Sequence, residues 1–223
     1  AMARSFVAPS YQAFIACLTM IDLIERYYDL SSTNEWERLE RYRTEYAVTM
    51  RAFKDHLPIP PACILDCGGG PGRYAIELTK WGYEVTLFDL SRINLSFART
   101  QAHAANVTLA GYEHGTAADL SRFADNSFDA VLSMGPLYHL TDPQDRGAAL
   151  RETYRVLKPG SLIAAAFIIF PAHRRKGNGR ALARLAIAVL REAGCHKVVA
   201  DVLWHCDEAL AFWKFIGFEP VFI

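Results

Sequence analysis

Short apolar runs alternate with amphipathic stretches along most of the chain. The apolar runs are strand-like and lie at residues 62–67, 84–89, 107–113, 128–134 and 161–169. Most of the stretches between them carry apolar residues at helical spacing. Strands that alternate with helices are typical of βαβ units, which form one parallel sheet with helices on both faces. The pattern therefore predicts an α/β fold built on a doubly wound, mostly parallel sheet.

A further helix is predicted ahead of the first strand. Residues 34–57 repeat apolar and aromatic side chains at helical spacing, and their other face is charged. We expect this segment to form a single capping helix. Its aromatic and basic stripe, extended by two residues before it, consists of Tyr27, Tyr28, Trp36, Arg41, Tyr42 and Tyr46. This stripe either lines a site for a second substrate or packs against the sheet.

The composition favours small-molecule chemistry over an electrostatic partner. The 223 residues include 24 basic and 24 acidic side chains, so the formal net charge gives no reason to expect nucleic acid or an anionic membrane as a partner. The five cysteines show no CxxC pair, which favours reduced core residues in a cytoplasmic protein. The apolar stretch near the start is interrupted by polar residues, so we expect neither a signal peptide nor a membrane span.

The stretch LDCGGGPG, at the end of the first predicted strand, indicates a ligand-binding turn. It places Asp66 at the strand end and glycines at positions 68, 70 and 72, just before a helix predicted to begin near Arg73. Gly68, Gly70 and Gly72 permit positive φ and let a ligand approach the main chain closely. The next strand ends at Asp89, where a carboxylate can accept hydrogen bonds from both hydroxyls of a ribose. A phosphate loop of the Walker type is excluded, because no Lys-Ser/Thr pair follows the glycines.

Two later stretches, residues 115–140 and 150–167, complete a family pattern. With the glycine turn they make residues 25–168 resemble the class I S-adenosylmethionine-dependent methyltransferases, which have a Rossmann-like sheet. The resemblance implies that Asp66 and the backbone of residues 68–72 face the methionine part of the cofactor. It implies that Asp89 binds the ribose, and that Gly135 with Pro136 forms the floor below the sulfonium. S-adenosylmethionine is therefore the expected cofactor and S-adenosylhomocysteine the expected product.

The same resemblance assigns the adenine and acceptor ends of the site. Thr116 and Ala117 occupy the turn after the third strand, where the family usually has an acidic residue for the adenine amine, and Asp119 lies close by. Tyr138 and His139 would stand at the mouth of the acceptor site. Methyl transfer from a sulfonium needs in-line positioning and no metal. A base helps only when the acceptor must lose a proton, and His139 is then either that base or a shape and hydrogen-bonding element.

A second glycine turn, HRRKGNG, belongs to a different pattern. Residues 173–223 resemble the C-terminal half of GNAT-type N-acetyltransferases, in which an [QR]xxGxG turn holds the pyrophosphate of acetyl-CoA. Arg174, Gly177 and Gly179 fit that motif as a candidate CoA loop, and a solvated basic turn that caps a helix is the alternative. Cys206 stands where the family usually has Asn, and Trp213 where it has the catalytic Tyr, so acetyl transfer is not expected.

These features predict a chimeric or fused chain. We expect a helical cap at residues 1–58, a methyltransferase core at 59–168 and a GNAT-like segment at 169–223 packed into the same domain, with the seam near residues 167–171. Methyl transfer to an unidentified small molecule is the leading hypothesis. A CoA-binding or acetyl-transferring protein and a folded hybrid without turnover remain open. The apolar residues 221–223 form a candidate strand edge for a homodimer.

Overall fold

The computed structural model describes residues 20–165, together with helical positions between residues 180 and 191 and between 211 and 215. Three helices come first, α1 (Met20–Asp29), α2 (Ser32–Arg41) and α3 (Arg43–His56). They are followed by β1 (Cys63–Cys67), α4 (Arg73–Lys80), β2 (Glu84–Asp89), α5 (Arg92–Ala104), β3 (Gly111–His114), β4 (Phe128–Ser133), α6 (Pro136–His139), α7 (Pro143–Val156) and β5 (Leu157–Ala165). Within the described part of the chain, no helix has the length and apolar character needed to cross a membrane.

The five strands form one parallel sheet in the order β3-β2-β1-β4-β5. The predicted α/β fold with a mostly parallel sheet is therefore confirmed. The chain moves outward from β1 to β2 and β3, and then returns to the other side of β1 to add β4 and β5. Such a reversal opens a crevice at the carboxyl ends of the strands, which is where ligands bind in this class of sheet.

Each face of the sheet has its own apolar core, which explains the continuous apolar runs in the sequence. Ile64 of β1 packs in the core beneath α2 to α5, whereas its neighbour Leu65 packs in the core on the side of α6 and α7. Both side chains are completely buried. Because successive side chains of a strand point to opposite faces, a strand covered on both faces must be apolar throughout.

The predicted single cap helix is wrong, because the segment forms two helices that meet at Tyr42. This residue has φ −103° and ψ 60°, which is outside the helical region, and its N–H still donates to the carbonyl of Arg38. After the break, Arg38 of α2 donates to both carboxylate oxygens of Glu45 in α3, at 2.7 and 2.8 Å. The helical periodicity continues across Tyr42 in the sequence, so it gave no sign of the break.

The strand boundaries agree with the predictions in part. β2 has the predicted bounds, whereas β3 begins at Gly111 rather than at residue 107, because residues 105–107 first close the end of α5. β5 begins at Leu157, four residues before the prediction, and its pairing with β4 contains an irregularity next to Phe128. Residues 166–169 of that predicted strand, the seam at 167–171, the candidate CoA loop and the apolar residues 221–223 lie outside the described residues.

Candidate functional site

The glycine turn follows β1 and delivers the chain into α4. Gly68, Gly70 and Gly72 have φ values of 71°, 58° and 79°, so each uses the conformational freedom expected from the sequence. A Cβ at Gly68 would collide with the ring of Pro136, and one at Gly69 with the carboxylate of Asp66. The turn is therefore an open backbone cradle that no side chain can fill.

Asp66 lies at the bottom of this cradle. Its side chain is buried, and Oδ2 has no hydrogen-bond partner within the described part of the chain. Burial, followed by the nearby charge of Asp89, raises the pKa of Asp66 to about 7. A buried acceptor without a donor is costly, so this oxygen is suited to a hydrogen-bond donor or cation supplied by a ligand.

Asp89 ends β2 in different surroundings. Its Oδ1 accepts hydrogen bonds from the N–H of Ser91 (2.8 Å) and from Nδ2 of Asn94 (3.1 Å), and its Oδ2 accepts one from the N–H of Gly70 (2.8 Å). Burial raises the pKa of Asp89, while these three hydrogen bonds act in the opposite direction. A carboxylate offers about four acceptor positions. Counting the described residues only, the remaining acceptor position is therefore on Oδ2, beside Gly70, rather than one on each oxygen.

Most residues predicted for the site line one cavity at the carboxyl ends of β1, β2 and β4. The predicted residues in its wall are Asp66, Gly68, Gly70, Asp89, Thr116, Ala117, Gly135, Pro136 and His139. Gly72 shapes the turn without lining the cavity, and a Cβ there would lie 2.9 Å from Cβ of Ala98.

Other predicted residues are not brought into this wall. Asp119 is exposed, and its Oδ1 accepts the N–H of Ser121 instead of facing the cavity. Tyr138 belongs to the backbone of α6, and its side chain is not among the parts that the structure describes. Arg174, Gly177 and Gly179 lie outside the described residues.

The helical cap supplies part of the wall that the sequence analysis missed. Ile21 and Ile24 of α1, and Glu35, Arg38 and Leu39 of α2, all line the cavity. Their spacing of three or four residues along each helix is a signal in the sequence, but it does not say which face meets the site.

The aromatic and basic stripe was expected either to line a site or to pack, and different members of it do each. Tyr28 lines the cavity. Trp36 and Tyr46 instead pack against the guanidinium of Arg73, which lies 4.6 and 5.8 Å from their ring centroids. Packing is therefore the role of this second pair.

Two hydrogen-bonded chains join the cap to Asp89. Ser91 Oγ donates to Oδ1 of Asp29 at the end of α1 (2.5 Å), while its N–H donates to Asp89. Ser32 Oγ, in the first turn of α2, donates to Oδ1 of Asn94 (2.7 Å), whose Nδ2 donates to Asp89. We call Ser91 and Asn94, with Asp29 and Ser32, the cap latch. Ser32, Ser91 and Asn94 are buried, so water does not compete for these bonds.

His139 contacts the cap directly. It lies in the short helix α6 after β4, not at the strand end, and its Nε2 is hydrogen-bonded to the hydroxyl of Tyr28. The two rings are perpendicular, with centroids 5.2 Å apart. Burial lowers the pKa of His139 below its ordinary value of 6.5, so the imidazole is neutral at pH 7.

Comparisons with known proteins agree with this geometry. Residues 65–165 match the family model described as "Methyltransferase domain", and residues 142–218 match the "Acetyltransferase (GNAT) family". The chain is 33% identical over 109 residues to the ubiquinone biosynthesis O-methyltransferase of Caulobacter vibrioides, covering 49% of this chain and 42% of that protein. It is 30% identical over 105 residues to the tRNA 5-carboxymethoxyuridine methyltransferase of Escherichia coli K12, covering 47% and 39%. The chain thus spans less than half the length of these curated relatives.

Among solved structures, a Haloferax volcanii methyltransferase in complex with the Trm112 activator superposes with a TM-score of 0.54. It is 24% identical, and the match covers 75% of each chain, which supports the fold alone. The two family matches overlap at residues 142–165, which form α7 and β5. Residues 65–165 therefore match a methyltransferase domain, and the same chain continues into a segment that matches the GNAT acetyltransferase family.

Proposed function

We propose that the chain transfers a methyl group from S-adenosylmethionine to a small-molecule acceptor. The main support for the proposal is Oδ2 of buried Asp66 in the glycine cradle, which has no hydrogen-bond partner among the described residues and lies next to the carboxylate of Asp89. The methionine part of the cofactor has an ammonium group that suits the first carboxylate, and its ribose has hydroxyls that suit the second. The residues present therefore fit this cofactor.

Each wall of the cavity then has a role in holding the cofactor. Asp66 accepts from the ammonium group, Asp89 accepts from the ribose through Oδ2, and Thr116 with Ala117 borders the adenine. Gly135 forms the floor near the acceptor. The bound cofactor supplies a methyl group that is already activated by a positively charged sulfur. The contribution of the chain is to hold two molecules in line and to exclude water, which supplies a large part of the rate.

The acceptor end of the cavity favours a small molecule with an apolar body. Ile21, Ile24 and Leu140 provide apolar surface in the cavity wall, and His139 with Tyr28 provides a polar pair. The relatives include a tRNA methyltransferase, but the balanced charge of this chain does not favour a polyanionic acceptor. Cys63 and Cys67 are free thiols, consistent with the cytoplasm as the proposed compartment.

Calorimetric titration with S-adenosylhomocysteine tests the cofactor site. Asp89→Asn keeps the shape of the side chain but removes its charge, so we expect binding to weaken about tenfold to a hundredfold, equivalent to roughly 1.5 to 3 kcal/mol for one charged hydrogen bond. Asp119→Asn is the matched control, because this exposed carboxylate does not line the cavity, and it should bind as the wild type does. Unchanged affinity of folded Asp89→Asn protein would refute the assignment.

The GNAT family match supports a second candidate, a CoA-binding site in the C-terminal segment. In this proposal Arg174, Gly177 and Gly179 hold the pyrophosphate weakly, and no acetyl group is transferred, since Trp213 has no acidic proton to give. A hybrid without turnover is the third candidate. We also propose that the cap, the core and the C-terminal segment meet at residues 58 and 168, and that residues 221–223 form a homodimer contact.

A further inference from the structure

Tyr28 and His139 form a hydrogen-bonded polar pair in the cavity wall. They belong to α1 and α6 and are 111 residues apart in sequence, yet the hydroxyl of one meets Nε2 of the other. Both side chains line the cavity, with Ile24, Met134 and Leu140 among their neighbours in the wall. This tertiary contact places two groups, each able to give or take a proton, at the proposed acceptor site.

The direction of the hydrogen bond depends on which ring nitrogen of His139 carries the proton. Because burial lowers the pKa of His139, the ring is neutral at pH 7 and has one nitrogen without a proton. Tyrosine keeps its proton at this pH, since its ordinary pKa is about 10. With the proton of the neutral ring on Nδ1, Nε2 accepts a hydrogen bond from the hydroxyl of Tyr28. The oxygen of Tyr28 retains acceptor capacity, so it can receive a hydrogen bond from a third group in the cavity.

We propose that Tyr28 and His139 are a two-residue proton relay for a hydroxyl acceptor, which makes the chain an O-methyltransferase for phenols or similar weakly acidic hydroxyls. The O–H bond of the acceptor breaks and its proton bonds to the oxygen of Tyr28. The O–H bond of Tyr28 breaks at the same time, and its proton bonds to Nε2 of His139. The electron pair of the broken acceptor bond stays on the acceptor oxygen, which becomes the nucleophile, and His139 later releases its proton to water.

The chemistry of the pair selects this acceptor class and rests on the proposed methyl transfer. A hydroxyl becomes a good nucleophile only when it loses its proton, whereas a neutral amine already offers a lone pair. A phenol has about the same acidity as Tyr28, so passing a proton between them costs little. The apolar wall suits the ring of a phenol, and the relay suits its single polar group.

The cavity wall contains other titratable groups. They are Glu35, Arg38, Asp66, Arg73, Tyr74 and Asp89. Asp66 and Asp89 lie at the glycine turn, and Arg38 is held by Glu35 and Glu45. The relay is therefore tested by changing Tyr28 and His139 alone.

The first experiment needs no substrate. Proton NMR of the His139 ring follows its titration in wild-type protein and in Tyr28→Phe, with His139→Gln used to assign the signal. We expect the pKa of His139 to rise by roughly 0.5 to 1 in Tyr28→Phe, because the lost hydrogen bond favoured the neutral ring. Tyr27→Phe is the matched control, since this exposed neighbour does not line the cavity. An unchanged pKa in Tyr28→Phe would overturn the relay.

The second experiment follows the proton with 4-nitrophenol, whose ionised form absorbs visible light. Bound to protein saturated with S-adenosylhomocysteine, it should ionise at a pH lower than in water by roughly one to two units. This change should be lost in Tyr28→Phe and in His139→Gln and kept in Tyr27→Phe. Ionisation that survives in Tyr28→Phe, or that is absent from the wild type at saturation, contradicts the relay.

Failure of the relay and failure of the proposed function give different results. Calorimetry with S-adenosylhomocysteine alone reports the cofactor site, which does not depend on either ring. Binding without probe ionisation refutes the relay and leaves the cofactor site standing. Absence of binding in the wild type refutes the proposed function itself.

Discussion

At the scale of single residues, the two carboxylates of the site differ although they end neighbouring strands. Asp89 accepts three hydrogen bonds from the chain, which stabilise its ionised form. Asp66 is equally buried, but one of its oxygens has no partner within the described part of the chain, and the charge of Asp89 lies close. Asp66 is therefore the carboxylate whose protonation a ligand should change.

We expect binding of S-adenosylhomocysteine to release a proton from Asp66. The pKa of the free group is raised to about 7, so at pH 6.5 a large fraction is protonated, and a ligand ammonium lowers that pKa by favouring the carboxylate. Calorimetry in buffers of different ionisation enthalpy measures the released protons. Release should vanish in Asp66→Asn and fade at a pH well above 7. Binding at pH 6.5 without proton release would contradict the role of Asp66.

The same shift predicts how stability depends on pH. A buried carboxyl with a raised pKa stabilises the fold fully below its ordinary pKa of 3.8, and this contribution is lost as the pH rises through about 7. Asp66→Asn should therefore unfold less readily than wild type above pH 7 in urea titrations. The cofactor site thus contains a group that costs stability in the free protein.

At the scale of elements, the cap latch links two parts of the site. Ser91 and Asn94 hold the carboxylate of Asp89, and through Asp29 and Ser32 they also hold the junction between α1 and α2. These two helices carry wall residues of the cavity, including Tyr28. Orientation of the Asp89 carboxylate and docking of the cap therefore depend on the same hydrogen bonds.

Ser32→Ala should loosen the cap without touching Asp89. It leaves Oδ1 of buried Asn94 without its donor, which costs about 1 to 3 kcal/mol of stability. In wild-type protein we expect S-adenosylhomocysteine to slow amide hydrogen exchange in residues 20–41, and this protection should be smaller in Ser32→Ala. Thr33→Ala, an exposed change on the same helix, is the control and should behave as wild type. Equal protection in the two variants would disprove the coupling.

At the scale of the whole molecule, two family patterns share α7 and β5. The methyltransferase match ends at residue 165 and the GNAT match begins at residue 142, so the same helix and strand fit both. Only the methyltransferase part has a cavity that the structure describes.

Thermal unfolding of the full chain should separate the two candidate sites. A ligand that binds only the folded state stabilises it by about 2.7 kcal/mol at a concentration 100 times its Kd. We expect a clear rise in Tm with S-adenosylhomocysteine and a much smaller rise with CoA at equal concentration. Gly179→Glu should remove the CoA effect alone. An equal response to CoA, together with acetylated amine products, would promote the acetyltransferase candidate.

The local pattern was sufficient for part of the fold and of the candidate site. Short apolar runs and glycines have local structural consequences. They were sufficient to predict the bounds of β2, the start of α4 at Arg73 and the positions of Asp66 and Asp89. A strand buried on both faces must be apolar, and a sharp turn needs positive φ, whatever the rest of the chain does. The parallel sheet could be inferred for the same reason.

Contacts between residues that are distant in the sequence decided the remaining features of the fold and of the candidate site. No local sequence pattern predicts the break at Tyr42, the early start of β5, the cap latch or the contact of Tyr28 with His139. The raised pKa of Asp66 likewise required its burial beside Asp89, since charge and desolvation depend on what the fold places around a group. The sequence alone determined which residues are candidates for the site, and the tertiary structure decided which of them lie together, because hydrogen bonds and burial arise only after packing.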